Sequence, residues 1–533
     1  MSSLSRALSL PVLLLFAPLV GCDTEGVDPV PFDPSTVDYD QVASTDFGDY
    51  VQPLLAARNI FAASAGTTAG ALSDYTWAAI FAGAGGETIV PFDEEGSFLV
   101  RFLEDLPADA TLPFPNLRRL EADELRFVKR WIAAGARSDD GAVPYATAEH
   151  VLYAAEQAGE ANSVALIDMM SHRVIRRVYF DDLGVPAGTY GPHHMVFEPD
   201  GSAWYVSLVN GGDDSAGRVL KLSTDLTLDP GAPAYLLAQS PSFRTPGMMA
   251  VNPNTNQLFV GRSTLSQTGT PGIGVFDRAT MTLIEEVATP FDIPHALGIT
   301  TDGAYVMTAA LTGNQMATIR TSDYEFIMVP LEGPARELIH FGVHPAQHAA
   351  AAGEHAAHGS ASSLHLAEVT LTSRSTDEVL FMRLEEDGSL TVVGDPVIVG
   401  DGPYHAHLGA DGHTLLVPNQ FGNSVSMVDV PTRTVTRTVE NPSGGPLARP
   451  HSPAPGMDGS VFFVTSSNWP PGATWEPTYR FLSGDPGDTT RTPLPNEAFG
   501  NVSVFNAETG ALVKVIQVRA YPAGLEHPMV HHH

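Results

Sequence analysis

The chain has 533 residues, with 61 Asp plus Glu against 28 Lys plus Arg, a formal charge of −33. So acidic a surface excludes recognition of nucleic acid or anionic lipid through a basic patch. A single cysteine excludes a disulfide framework, a Cys-ligated zinc site and covalent c-type haem, while 49 Gly, 42 Pro and only 17% charged residues describe a turn-rich folded chain too long for one compact domain.

The first 21 residues read as an export signal. Arg6 precedes an apolar run over 7–20, too short and too poorly flanked to span a bilayer. The run ends in Leu19-Val20-Gly21-Cys22, and the lone cysteine falls there. This ending resembles the lipobox of bacterial lipoproteins, which implies lipidation at Cys22, anchorage in the cell envelope and a chain facing the periplasm or the outside. Residues 22–45 are acidic, Pro-rich and aperiodic, as expected of a tether.

Residues 46–140 predict a small all-α domain. A first helix is expected over 47–57, with Tyr50, Val51, Leu54 and Leu55 at helical spacing. A last one is expected over 121–134, with Leu125, Val128, Trp131 and Ile132 on one face and Gly135 at its stop. The segments VQPLLAARN (51–59), IVPFDEEGSFLVRFL (89–103) and LEADELRFVKRWIAAGA (120–136) resemble the c-type cytochrome domains of planctomycete-like and other surface proteins. The haem-attachment positions of that family are here Asn59, Ala62 and Ala63, and its axial Met falls near Leu112. With thiols and axial ligands gone, the resemblance implies a haemless docking or spacer module.

Residues 145–530 carry an internal repeat. GPHHMVFEPDGSAWYVSLVN (191–210) is the fullest copy, followed by copies at 245–263, 293–311, 402–420 and 449–467 and a weak one at 337–345. Each is an apolar strand, a turn at Asp-Gly or its equivalent, and a second apolar strand, because Gly accepts the positive φ of a tight turn. Spacings near 50 residues suit four-stranded blades. VPNQFGNSVSMVDV (417–430) is similar to the core of YVTN-type β-propeller repeats. The expectation is a mainly β, seven-bladed propeller preceded by the helical domain. YPAGLEHPMV (521–530) is expected to close the first blade against strands over 150–179.

Histidines recur at the start of the innermost strands. Alignment on the turn places His193, His295 and His451 in one layer, and His194, Met248, His340 and His405 one residue later. His407 lies two beyond His405, and His527 takes the matching place in the closing strand. Imidazole and thioether are copper ligands, and imidazole also suits zinc or iron. These residues predict a metal ring at the channel mouth, with copper favoured. The alternative is a metal-free protein-interaction scaffold whose His only satisfy backbone groups, since alternation along a strand forbids His193 and His194 both to face inward. A third reading is a metal-dependent oxidoreductase: nitrous oxide reductase holds copper with such a ring on a propeller, and cytochrome cd-type nitrite reductases place a cytochrome c domain before one. This likeness is architectural. A protein partner in the envelope is expected in the first two readings.

Two insertions remain. HFGVHPAQHAAAAGEHAAHGSASSLH (340–365) reads as a His-rich loop able to collect metal, and 466–500 as a long aromatic loop over the channel or against the helical domain. No nucleotide-binding loop, nucleophile elbow or His-Glu-x-x-His is present.

Overall fold

A computed structural model of the chain describes residues 32–60, 75–83, 85–105, 118–157, 163–185, 191–209, 217–262, 271–345, 365–441, 445–466, 499–519 and 522–528. Cys22, Ala62, Ala63, Leu112 and most of both insertions lie outside these residues.

Among the described residues the N-terminal part holds five short α-helices: α1 (Gln52–Ala57), entered through a π turn at Phe47–Val51, α2 (Trp77–Ala82), α3 (Gly85–Thr88), α4 (Phe98–Asp105) and α5 (Ala122–Ala133). They share one core that includes Tyr39, Val51, Leu54, Phe127 and Trp131. At α5, Glu121 and Glu124 form a reciprocal capping box that satisfies N-terminal amides. Glu124 also accepts from the Arg58 guanidinium at 2.6 Å, which ties α5 to α1. Gly135 ends the helix at φ +98°, with the Phe92 ring 2.5 Å from where a Cβ would stand. None of the helices among the described residues is long and apolar enough to cross a membrane.

Among the described residues seven antiparallel sheets follow, each built on four consecutive strands, except that the first takes its inner strand from the C-terminus and the fifth adds the short strand Val397–Ile398. Pro522–Glu526 pairs with Val151–Glu156, with Tyr153 opposite Glu526 and Ala154 opposite Leu525. The inner strands of blades two to seven are Gly191–Phe197, Pro246–Val251, Pro294–Ile299, Leu338–Pro345, His407–Leu408 and Pro450–Pro455. The expected seven-bladed propeller, closed through its C-terminus, is therefore the observed architecture.

The turns form as the Asp-Gly pairs require. In four blades Asp200, Asp302, Asp411 and Asp458 accept a backbone N–H two residues on, at 2.9–3.0 Å. The glycines after them sit at φ +67° to +71°. Between blades, apolar side chains interdigitate, as where Met307, Phe341, Val369 and Leu380 pack together.

The helical part is fastened to blade one by a buried charge cluster. The Arg177 guanidinium reaches Asp93 at 2.7 Å and Glu156 at 3.0 Å, and all three side chains are at most 6% exposed. The Tyr179 hydroxyl and the Gly96 amide complete the Asp93 carboxylate. The neighbouring Arg176 stacks on Phe92 and donates to the Pro144 and Leu226 carbonyls.

Candidate functional site: an imidazole-lined channel

The inner strands do not run in plain alternation where the histidines sit. Their pairing shifts register between Pro192 and Met195, Pro246 and Met249, Pro294 and Ala296, Leu338 and Phe341, and Pro450 and Pro453. Four of these irregularities begin at a proline, which cannot donate to the ladder. Thr245, Ile293 and Arg449, each just before that proline, have φ of 47°, 51° and 52°, a conformation costly for residues with a Cβ. The irregularity frees two successive residues from opposite faces, so both His193 and His194 reach other channel groups. Hydroxyls on the second strand take up the displaced backbone. Ser207 Oγ accepts from the His194 N–H at 3.1 Å, and Thr465 Oγ1 accepts from the Ser452 N–H at 3.0 Å.

Most of the imidazoles are withdrawn from solvent, while His193 and His407 are partly exposed. His405 is fully buried, and His194, His295, His340 and His451 are nearly so. The His193 ring lies 6.3 Å from His295, 6.4 Å from His405 and 6.3 Å from His451. His405 lies 4.8 Å from His451, with their planes 67° apart. On its other side it stacks on His340 at 4.9 Å, and His340 stacks in turn on His407 at 5.1 Å. His405 and His407, two apart on blade six, thus enclose one ring of blade five.

Hydrogen bonds divide these rings by role. His295 Nδ1 lies 3.0 Å from the Ile339 carbonyl, to which it donates, so Nε2 carries the lone pair. His194 Nδ1 accepts the Met249 N–H at 3.2 Å, so its proton is on Nε2. The Gln157 amide lies 2.8 Å from His193 Nδ1. By contrast, both nitrogens of His405, Nδ1 of His340 and His451, and Nε2 of His407 are shielded from solvent without a hydrogen-bond partner. Such orphaned buried groups mark strain, an ordered water, a bound ion or a catalytic role.

Burial holds the rings neutral. It pushes His193 and His194 down to about 3, and His295 and His407 to about 4, from an ordinary 6.5. His340, His405 and His451 are depressed well below that value by burial first and by neighbouring imidazoles second. Among the described residues no three His, Cys, Asp or Glu side chains are already closed around one point as an ion would need.

Other expected positions resolve differently. Met248 packs with Phe259, Ile273 and Leu297 in the apolar layer between blades three and four. Blade six enters one residue out of step, because Pro403 makes only an isolated bridge to Asn419. His405, not Tyr404, therefore joins His193 and His451, while Tyr404 stacks on His405 at 5.0 Å. In the closing strand His527 Nδ1 lies 3.4 Å from the Pro528 carbonyl, and Glu526 is the residue that approaches the channel imidazoles. Residue Glu526 was legible only as a neighbour of His527, since a closing strand has no turn on which to align it. His344, two turns of the pleat beyond His340, is also buried, with Nε2 3.3 Å from Thr370 Oγ1.

No family model matches the chain, and no curated protein matches it. Solved structures similar to it are remote in sequence. The periplasmic gluconolactonase of Pseudomonas aeruginosa shares 16% identity, covering 71% of this chain and 98% of its own, with a TM-score of 0.49. A candidate 6-phosphogluconolactonase from Bacteroides fragilis shares 14%, covering 72% and 99%, with a TM-score of 0.46. A protein of unknown function from Desulfotomaculum acetoxidans shares 16%, covering 56% and 76%, with a TM-score of 0.37. On its own strand topology the chain is a seven-bladed β-propeller.

Proposed function

We propose that this chain is an exported, lipid-anchored binding protein whose propeller takes up a transition-metal ion, copper foremost, between the channel imidazoles. His405 carries the reading: a fully buried ring with neither nitrogen hydrogen-bonded, set beside the equally orphaned Nδ1 of His451. Two imidazoles bound to one ion through bonds of about 2.0–2.1 Å place their ring centres roughly 5 Å apart. The His405–His451 separation of 4.8 Å and steep inclination suit that arrangement. His295 has its lone pair on Nε2 and would be the third ligand, and His193 would be the fourth once it releases the Gln157 amide. Neutral imidazole is the ligand form, so burial removes the proton as a competitor at neutral pH. Copper is favoured because imidazole sites rank it highest among divalent first-row ions.

The rest of the chain supports a place at the cell envelope. Cys22 would carry lipid, residues 22–45 would act as tether, and the helical part, a haemless cytochrome c-like spacer, would set the propeller above the membrane. The buried Arg177 cluster makes that spacer a rigid extension of blade one, which suits presentation to an envelope partner.

Elemental analysis after copper loading and desalting tests the reading. Near-stoichiometric copper in the wild type, lost in His405→Ala and His451→Ala, is expected. Metal-free protein with unchanged melting would leave the interaction scaffold as the function. Metabolic labelling with palmitate tests the anchor, and Cys22→Ser should abolish incorporation.

A further inference from the structure

We infer a second cation site two residues further along the blade-six strand than His405, and deeper in that sense, built from His407 and Glu526, for a divalent ion of the zinc and iron(II) class. It shares the channel with the copper site proposed above but none of that site's His193, His295, His405 and His451 ligands. Glu526 Oε1 stands 3.6 Å from His407 Nε2 and 3.7 Å from His194 Nε2. Both separations exceed a hydrogen bond. The first is close to the roughly 3.4 Å expected between two ligands of one tetrahedral ion with bonds of about 2.0–2.1 Å.

The two imidazoles flanking Glu526 have different roles. His407 Nε2 is shielded from solvent and has no hydrogen-bond partner, so nothing in the chain competes with an ion for it. The Met249 N–H on Nδ1 fixes the His194 proton on Nε2, which faces Glu526 Oε1. At 3.7 Å this Nε2–H is not hydrogen-bonded to Glu526; a small shift on ion binding would make it the outer donor that steadies a ligand carboxylate. His340, stacked on His407 with an orphaned Nδ1, is the nearest further imidazole. One oxygen and one or two nitrogens leave coordination positions for water or a small oxygen-bearing ligand.

The donor set separates this site from the upper one. A carboxylate oxygen favours harder ions than an all-imidazole set, so zinc(II) or iron(II) fits here and copper above. The closing strand supplies Glu526 through its pairing with blade one, so the deeper site exists only in the closed ring.

Zinc(II) titration of the full metal-free chain, with bound zinc counted after desalting, tests this. Wild type is expected to retain one more zinc per chain than either Glu526→Gln or His407→Phe. Glu526→Gln keeps the side-chain volume and His407→Phe keeps a planar ring to stack on His340, so circular dichroism melting should report a folded propeller. His405→Ala should keep the deeper zinc. Equal zinc in wild type and both variants, or none in wild type, would overturn the inference. Loss in Glu526→Gln but not in His405→Ala would support it even if the copper site fails.

Discussion

The backbone N–H of His405 donates to the His451 carbonyl at 3.3 Å while their rings stand 4.8 Å apart. Blades six and seven are thus joined by main chain and imidazole at one point on the axis. The join explains why a two-residue inner strand, His407–Leu408, suffices in blade six. What a short strand lacks in ladder bonds, the neighbouring blade supplies, and His405 is held with its faces stacked on Tyr404 and His340.

An orphaned buried imidazole destabilises the metal-free protein. Leaving a polar group unsatisfied costs about 1–3 kcal/mol. Replacing His405 by Leu should therefore leave the metal-free melting temperature unchanged or raise it by a few degrees. It should also abolish the further rise on copper addition. Differential scanning calorimetry with and without copper reads both effects. A fall of more than about 3 kcal/mol in the metal-free form would show that His405 is a satisfied structural residue.

Stability without metal should fall steeply in acid. The folded values of the buried imidazoles lie below 6.5, so the unfolded chain binds protons that the folded one refuses. The stability they contribute is full above about pH 6.5 and drains as pH falls toward 4 and 3. Each such ring removes about 1.4 kcal/mol per pH unit over that window.

Glu526 works in the opposite direction. Burial raises its carboxyl to about 8 from 4.5, so its contribution is full below pH 4.5 and is lost as pH rises through 8. The two trends place the optimum near neutrality. Glu526→Gln should flatten the alkaline limb and leave the acid limb in place, as urea midpoints across pH would record.

Cutting Arg177 to Met leaves Asp93 and Glu156 buried without their cation. Breaking a buried pair by removing one partner costs about 3–5 kcal/mol. The expected result is an earlier melting transition of the helical part and faster limited proteolysis between it and blade one. Arg177→Lys should rescue only in part, since one ammonium cannot match the guanidinium fork.

Removing residues 522–533 deletes the inner strand of blade one and exposes the ladder edge of Val151–Glu156. The truncated chain should lose its cooperative transition and self-associate, visible by light scattering. Adding the missing strand as a synthetic peptide should restore part of the melting temperature.

Blade number, turn positions and ring closure were legible in the sequence because they rest on local patterns. Alternating apolar strands and Asp-Gly pairs repeat wherever a hairpin must form, and Asp200, Asp302, Asp411 and Asp458 all cap their turns as their residue types dictate. The recurrence of histidine at inner-strand starts was legible for the same reason. Which rings meet was not. That depends on a register irregularity in each inner strand, on the one-residue offset of blade six, and on Glu526 displacing His527 at the channel. Periodicity assigns a residue to a face of its own strand. Only the packing of seven separate sheets around an axis decides which side chains from distant blades share the space inside.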